Sequence, residues 1–517
     1  MLWRDQGGAS MLSLGRSPGA RRNCKGRAVS LASLLVILTA AWLWLVFSAK
    51  AFSSKNQSHQ SVDLQEDWLS PPRNFNWTLK GDSPDGGSFS SALAWPEANT
   101  SSGNLSLRNI VFGVAGTVQF WPKRKELIKL WWRPGQMRGF VWLDEEVDQE
   151  AGLPIVLVSE DTSRFRYTNV VGQPAGIRIS RIVLETFRLR LSDVSWFVLC
   201  DDDTIFSVDN LVRVLSKYDP SQFYYIGSTS ESHGQNVLFS FKMAYGGGGF
   251  AISYALAEAL VHMQDTCLER YPELAGSDER LQACISELGV PLTREPGFHQ
   301  CDIFGNAFGL LAAHPVVPFV SMHHVEVMDP LIPGMSSHDG LRLLTKAMRT
   351  EPGSFLQQSI CYDRKQRLSF SISTGFVVQV FPEILYPGVL ERAEITFTAW
   401  NRGNDPGEFE LDTRRPRSIC KQPFLFYLDE IKRVEEGSSI LSIYSRDLIT
   451  EERKKYCLSQ SFSPTKVKKI HVHSKPLDMN WFMVPRRQCC NVAGTKDEVL
   501  SLFVGSCRPK EILVGDV

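Results

Sequence analysis

Between Asn109 and Tyr218 the chain alternates short, almost unbroken apolar runs with stretches of helical period. This alternation constrains the fold more than any other feature. NIVFGVAGTV (109–118), RGFVWL (138–143), PIVLVS (154–159) and WFVLC (196–200) read as strands. PKRKELIKLWW (122–132), AGIRISRIVLETFRLRL (175–191) and SVDNLVRVLSKY (207–218) read as helices, the first opening on Pro122 and the last with Ser207 as its N-cap. Strands that are apolar on both faces belong to a sheet covered on both sides. Residues 109–365 are therefore expected to form an α/β domain on a mainly parallel sheet. Ligands of such sheets sit at the carboxyl ends of the strands, which directs attention to the residues just after Cys200.

Those residues are Asp201, Asp202 and Asp203. Three carboxylates at the end of an apolar strand repel one another, and burying them unpaired is costly. A bound divalent cation, Mg²⁺, Mn²⁺ or Ca²⁺, resolves the conflict because hard oxygen ligands suit it. In extended chain Asp201 and Asp203 face one way and Asp202 the other. The alternative is a solvated acidic turn in which one Asp caps the next helix. Downstream, Tyr245-Gly246-Gly247-Gly248-Gly249-Phe250 is either a tight bend or a backbone that lets a ligand approach closely. It lacks the lysine-ended pattern of a nucleoside-triphosphate loop. Gly276-Ser277-Asp278-Glu279-Arg280 opens a helix, with Ser277 as a cap and two acids at the positive helix end, or with one acid as a catalytic carboxylate. His323 and His324 come after the apolar run VVPFV and are either metal ligands or a structural pair.

Taken in this order, WFVLCDDDT, YGGGGFAIS, GSDERLQACISELG and EPGSFLQQSIC (351–361) resemble the motifs of fringe-type glycosyltransferases of family 31. They resemble in particular a fringe-related plant family catalogued as a domain of unknown function. The resemblance covers residues 107–361. With the plant family it continues to the C-terminus through RPRSICKQPFLFYL, PRRQCCNV and VGSC. It implies a GT-A fold, a UDP-sugar donor and inverting, β-1,3-type transfer to a glycan or glycoprotein acceptor. It further implies Mn²⁺ held by Asp201, Asp202 and Asp203, with Asp201 and Asp203 the best direct or water-bridged ligands. His323, or failing it His324, would complete that set. Gly113, Thr117 and Arg124 would hold the nucleotide, and Gly247, Gly248 and Gly249 would line the donor–acceptor cleft. Arg124 reads equally as a surface charge. The family's acidic pair ends in Asp where this chain has Glu279, so the base is either Asp278 or Glu279. That departure also suits a carbohydrate-binding protein that keeps the fold without turnover. A metal-dependent hydrolase would need further ligands for a two-metal centre, and the chain does not show them at obvious spacing.

Ahead of this region, Ala28 to Ala49 carries no charge. About twenty such residues at ~1.5 Å each span the ~30 Å hydrocarbon layer of a bilayer. Residues 1–27 hold six basic residues and only Asp5 as an acid, so the positive-inside bias places them in the cytosol and the rest in the Golgi lumen, as a type II signal-anchor. The alternative is a cleaved signal peptide ending at Ala49-Lys50-Ala51. Residues 50–108, rich in Ser, Pro, Gly and Asn, read as a stem with N-glycosylation acceptors at Asn56, Asn76, Asn99 and Asn104 and none elsewhere in the chain. The overall balance of 56 basic against 56 acidic residues argues against nucleic acid as a partner. Of eleven cysteines only Cys24 precedes the anchor, which leaves ten for up to five luminal disulfides, with Cys200 equally suited to a buried thiol. Residues 366–517 contain Cys420, Cys457, Cys489, Cys490 and Cys507 and strand-like alternation in SFSISTGFVVQVF (369–381). They are expected to form a β-rich, disulfide-tied appendage that either recognises the acceptor or completes the fold. His471 and His473 are expected on a solvated strand face.

Overall fold

The computed structural model describes residues 105–434, 439–452, 457 and 467–513. The expected cytosolic tail at 1–27, the expected membrane run at 28–49 and the acceptors Asn56, Asn76, Asn99 and Asn104 lie outside the described residues. Among the described residues no helix is long and apolar enough to cross a membrane.

Seven strands make one sheet: β1 (Ile110–Ala115), β2 (Arg138–Leu143), β3 (Ile155–Val158), β4 (Trp196–Asp201), β5 (Tyr225–Gly227), β6 (Phe250–Ser253) and β7 (Leu292–Arg294), in the order β3-β2-β1-β4-β6-β5-β7. The first four run parallel, β6 is antiparallel to both β4 and β5, and β7 is parallel to β5. The sheet is thus mixed, with one reversed strand supplied by the segment after the glycine run. Ile110, Phe112 and Val114 of β1 pack with Trp196, Val198 and Cys200 of β4 in one core, while Val111, Ala115, Phe197 and Leu199 face a second. This two-sided burial is why the strand sequences are almost continuously apolar.

The helical stretch expected at 175–191 is two helices, Ala175–Ser180 and Ile182–Arg188. They break at Arg181, whose fully buried guanidinium meets Glu185, Asp265 and the more exposed Glu160. The helix expected at 207–218 is Val208–Leu215. Ser207 occupies its capping position, but its hydroxyl bonds nothing; its amide donates to Val320 at 2.8 Å, tying the helix to a neighbouring strand instead.

The C-terminal part is a closed barrel of eight strands: β8 (Gln358–Asp363), β9 (Leu368–Ser373), β10 (Val377–Phe381), β11 (Phe424–Val434), β12 (Ser439–Arg446), β13 (Lys469–Ser474), β14 (Cys489–Lys496) and β15 (Val499–Gly505). It begins at Gln358, inside the segment expected to end the α/β part. Barrel residues such as Ile372, Phe376, Phe426 and Tyr444 share one hydrophobic core with β1 and β4, so the barrel is packed onto the sheet's helical layer rather than tethered to it. Between β10 and β11 the chain leaves the barrel and returns to the α/β part. There Phe397–Ala399 pairs antiparallel with Ile303–Gly305, and Phe409 bridges Ser232.

Disulfides join Cys267–Cys284, Cys361–Cys490, Cys420–Cys457 and Cys489–Cys507. Neighbouring side chains on a strand point to opposite faces, so Cys489 and Cys490 reach different partners. Cys200 and Cys301 are buried thiols. His473 stacks on Phe503 of the adjacent strand, with ring centroids 4.9 Å apart.

Candidate functional site

The acidic run ends β4, and a small sheet brings its partner from far along the chain. Ser321–Met322 pairs antiparallel with Ile205–Phe206 and parallel with Phe298–His299. Because Met322 lies opposite Ile205, His323 arrives beside the end of the acidic run. His323 Nε2 is 2.9 Å from Asp203 Oδ1 and 3.6 Å from Asp201 Oδ2. Ligand atoms of these three residues lie within 4.8 Å of one another, the only such group among the described residues. Burial pushes the Asp201 carboxyl above the usual range, with His323 pulling it back. Burial acts the same way on Asp203, but the His323 and Arg124 cations outweigh it and hold this carboxyl below the usual range. For His323 the desolvation that favours the neutral ring is overcome by Asp203 and Asp201. Two carboxylates and one imidazole in a buried pocket form a donor set that suits Mn²⁺ or a similar divalent cation.

Asp202, expected among the metal ligands, is not in this group. Strand alternation turns it away, and its Oδ1 meets Arg124 Nη1 at 2.5 Å. Burial pushes its carboxyl up to about 7, against the pull of Arg124. Arg124 projects from the first turn of the helix Trp121–Trp131 and also reaches Asp203 at 3.0 Å and Glu326 at 3.6 Å, so it is a partner of the acidic run rather than a free surface charge.

The glycine run forms the next wall. A Cβ on Gly246 would come within 2.5 Å of Asp278 Oδ1, and one on Gly247 would run into the His323 ring. These glycines let two chemical groups close on one stretch of backbone. Gly247 accepts a hydrogen bond from Thr204 Oγ1 at 2.7 Å, the amide of Gly248 donates to Gln300 Oε1 at 2.7 Å, and Gly249 has φ +78°. The expected lining glycines 247 to 249 are therefore buried and packed against the site's side chains. Gly113 lies mid-strand in β1, where a Cβ would meet Ile182 and Leu199 at 2.8 Å each, so packing requires a glycine there. Thr117 lies just beyond the same strand with its hydroxyl buried and unbonded.

The acidic pair divides into two roles. Asp278 Oδ2 accepts the Gly246 amide at 2.9 Å and Oδ1 accepts the Ser277 hydroxyl at 3.1 Å. Burial raises its carboxyl above the usual range, and those two hydrogen bonds offset part of the rise. Glu279 instead bends back to accept the amides of Ala275 and Gly276 at 2.9 and 3.1 Å, which satisfies free donors at the start of the helix Ser277–Glu287. The capping expected of Ser277 is done by Glu279. A slot lined by Gly113, Asp201, Gly246, Ser277 and Asp278 joins one of the metal candidates, Asp201, to this carboxylate. A wider cavity of about 500 Å³ lies elsewhere, among Lys129, His338, Arg342, Lys346 and Arg349, and contains none of these residues.

Several residues at the site escaped the sequence reading. The buried Arg178 guanidinium donates to Gly116 at 2.8 Å and to Trp142 at 3.1 Å, closing the carboxyl ends of β1 and β2. A Cβ on Gly116 would meet Asp202 at 2.8 Å. Asp302 accepts Ser230 Oγ at 2.6 Å and lies 3.2 Å from His324 Nδ1. His324, the alternative to His323 as a ligand, thus turns to Asp302 and stacks on Trp400. Long-range pairing brings these groups together, and no local motif announces it.

Residues 105–306 match the family described as fringe-like, and residues 235–490 match one described as a protein of unknown function, DUF604. Residues 105–306 are thus similar to fringe-like proteins. Both matches overlap the segment that carries the glycine run, Asp278 and Glu279. Among curated relatives of this chain, the human "Beta-1,3-glucosyltransferase" is 34% identical over 120 residues, which is 23% of either protein. Its mouse counterpart is 33% identical over 134 residues, 26% of either protein. The chicken "Beta-1,3-N-acetylglucosaminyltransferase radical fringe" is 26% identical over 177 residues, 31% of this chain and 45% of that protein. The chain thus spans about a quarter of the length of the first two and less than half of the third.

Proposed function

We propose that this fringe-like chain transfers a sugar from a UDP-sugar to a hydroxyl of a glycan or glycoprotein, with inversion and β-1,3-type linkage, on a GT-A-type α/β domain. One observation carries the reading: adjacent glycines, Gly246 and Gly247, lie against Asp278 and His323, and Asp201, which groups with Asp203 and His323, lines one slot with Gly246 and Asp278. The names of the relatives support the transfer chemistry.

In this reading Asp201, Asp203 and His323 hold a divalent cation, with Mn²⁺ favoured by the mixed oxygen and nitrogen donors. When bound, that ion neutralises charge on the diphosphate leaving group. Asp278 takes the proton of the acceptor hydroxyl as its oxygen bonds to the anomeric carbon. The bond from that carbon to the diphosphate oxygen breaks, and its electron pair leaves with the nucleotide. A buried carboxyl raised above its usual range is a better base for this step than an exposed one. Arg124, held by Asp202 and Asp203, is placed to meet the nucleotide's phosphates by exchanging carboxylate partners. Glu279 keeps Asp278 in place by fixing the helix start. With Asp278 facing the slot, the Glu279 departure from the family pattern gives no reason to prefer a binding protein without turnover.

The uncharged run at 28–49 and its flanking bases support single-pass, type II anchoring with the transferase part in the Golgi lumen. The experiment for the activity is incubation of the purified chain with Mn²⁺, a panel of UDP-sugars and a panel of free and protein-linked saccharide acceptors. NMR of the product should show a new β-glycosidic linkage from an α-linked donor; an α-linked product would refute inversion.

A further inference from the structure

The barrel's excursion reaches the metal-ligand candidates through Trp400. This residue comes directly after the short strand Phe397–Ala399, which the excursion pairs with Ile303–Gly305. Its rings lie nearly parallel to His324, with centroids 4.4 Å apart and planes at 7°, and to Phe304 at 4.4 Å and 10°. The His324 ring in turn lies 3.8 Å from the ring of His323.

His324 has φ +57°, in the left-handed region. A non-glycine residue held there is strained and stays only where its surroundings hold it. Three contacts meet that need: the indole face of Trp400, the Asp302 carboxylate, 3.2 Å from Nδ1, and the amide of Val327, which donates to His324 O at 3.0 Å. A left-handed residue turns the chain sharply, so its conformation sets the angle at which its predecessor, His323, presents its imidazole. Besides Asp203 and Asp201 themselves, that ring meets Gln300 O, 3.3 Å from Nδ1, and the bare backbone of Gly247. Neither holds His324.

We propose that Trp400 is a positioning residue for the metal site: it keeps His324 left-handed and so aims His323 at Asp201 and Asp203. The barrel then belongs to the catalytic unit, because its excursion supplies a support that the α/β part lacks. The proposal rests on the reading that Asp201, Asp203 and His323 hold a divalent cation.

The test is a Mn²⁺ titration of the purified full chain, with free ion read by electron paramagnetic resonance and melting temperature recorded in parallel. Trp400→Phe keeps a flat ring against His324, whereas Trp400→Leu keeps apolar volume without the plane. The Phe variant should bind Mn²⁺ within a few-fold of the unsubstituted chain. The Leu variant should bind about 10–100-fold more weakly, the usual loss when a support of a metal ligand is removed. In a His324→Gly background, where glycine takes the left-handed conformation freely, Trp400→Leu should change affinity far less. A Leu variant that binds as tightly as the unsubstituted chain would overturn this proposal alone. Absence of Mn²⁺ binding by the unsubstituted chain would overturn the metal reading as well.

Discussion

The amide of Gly246 donates to the carboxylate of Asp278 across 2.9 Å, while the next residue, Glu279, is engaged by the amides of Ala275 and Gly276. Neighbouring acids in one sequence motif therefore have different chemistry. Asp278→Asn should lower kcat by about 10²–10⁴, the range for loss of a positioned base, with donor and Mn²⁺ affinity nearly unchanged. Glu279→Gln retains an oxygen for the helix cap and should keep most of the activity. Steady-state rates of the two variants check this, and the reverse ranking would make Glu279 the base.

The sequence carried the strands and the acidic run because both are local: a buried strand is apolar at every position, and three acids at its end stand out. It also indicated that Asp202 would face away from its neighbours, since alternation in extended chain is a local rule. The partition of Asp278 and Glu279 was not legible, because either acid suits a helix start and only the approach of Gly246 separates them. Trp400 was equally hidden. It lies 76 positions beyond His324, and the pairing of Phe397–Ala399 with Ile303–Gly305 alone brings it there. The barrel's closure was beyond reach for the same reason, although the alternation at 369–381 marked its second and third strands.

Gly247 tests the closeness of packing at the metal candidates. An added methyl there meets the His323 ring, which is itself buried and cannot retreat without breaking the small sheet. Gly247→Ala is expected to weaken Mn²⁺ binding and reduce turnover at saturating donor. Gly407→Ala, where a Cβ meets nothing within 4 Å, should do neither. Mn²⁺ titration of both variants decides it.

Acid sensitivity should arise from His314. Its ring is buried, 3.0 Å from His299 Nε2, with Nδ1 donating to Pro315 O at 2.8 Å. Burial, with His299 beside it, holds this histidine well below its ordinary value of 6.5. The folded chain keeps the ring neutral where the unfolded chain takes up a proton, so the unfolded state binds more protons below about 6.5 and stability falls there. This contribution is fully present above that value and is lost progressively on acidification. Melting temperature should drop as pH is lowered from about 7 to about 5. His314→Gln should melt lower at neutral pH but with a shallower slope; an unchanged slope would assign the sensitivity elsewhere.

The four acceptors at Asn56, Asn76, Asn99 and Asn104 give the topology a direct assay. Expressed in a secretory host, the chain should lose apparent mass on treatment with an N-glycosidase, and replacing all four Asn with Gln should abolish that shift. A chain of unshifted mass would contradict luminal placement of the stem.

In the proposed reaction Asp201, Asp203 and His323 hold the cation through which the chain uses a nucleotide-sugar. The most direct measurement is UDP release from a UDP-sugar panel, with Mn²⁺ and again with excess EDTA, for the unsubstituted chain and for Asp203→Ala. The account predicts release with at least one donor that requires Mn²⁺ and falls to background in Asp203→Ala. Release that persists in EDTA, or that survives in Asp203→Ala, would contradict it.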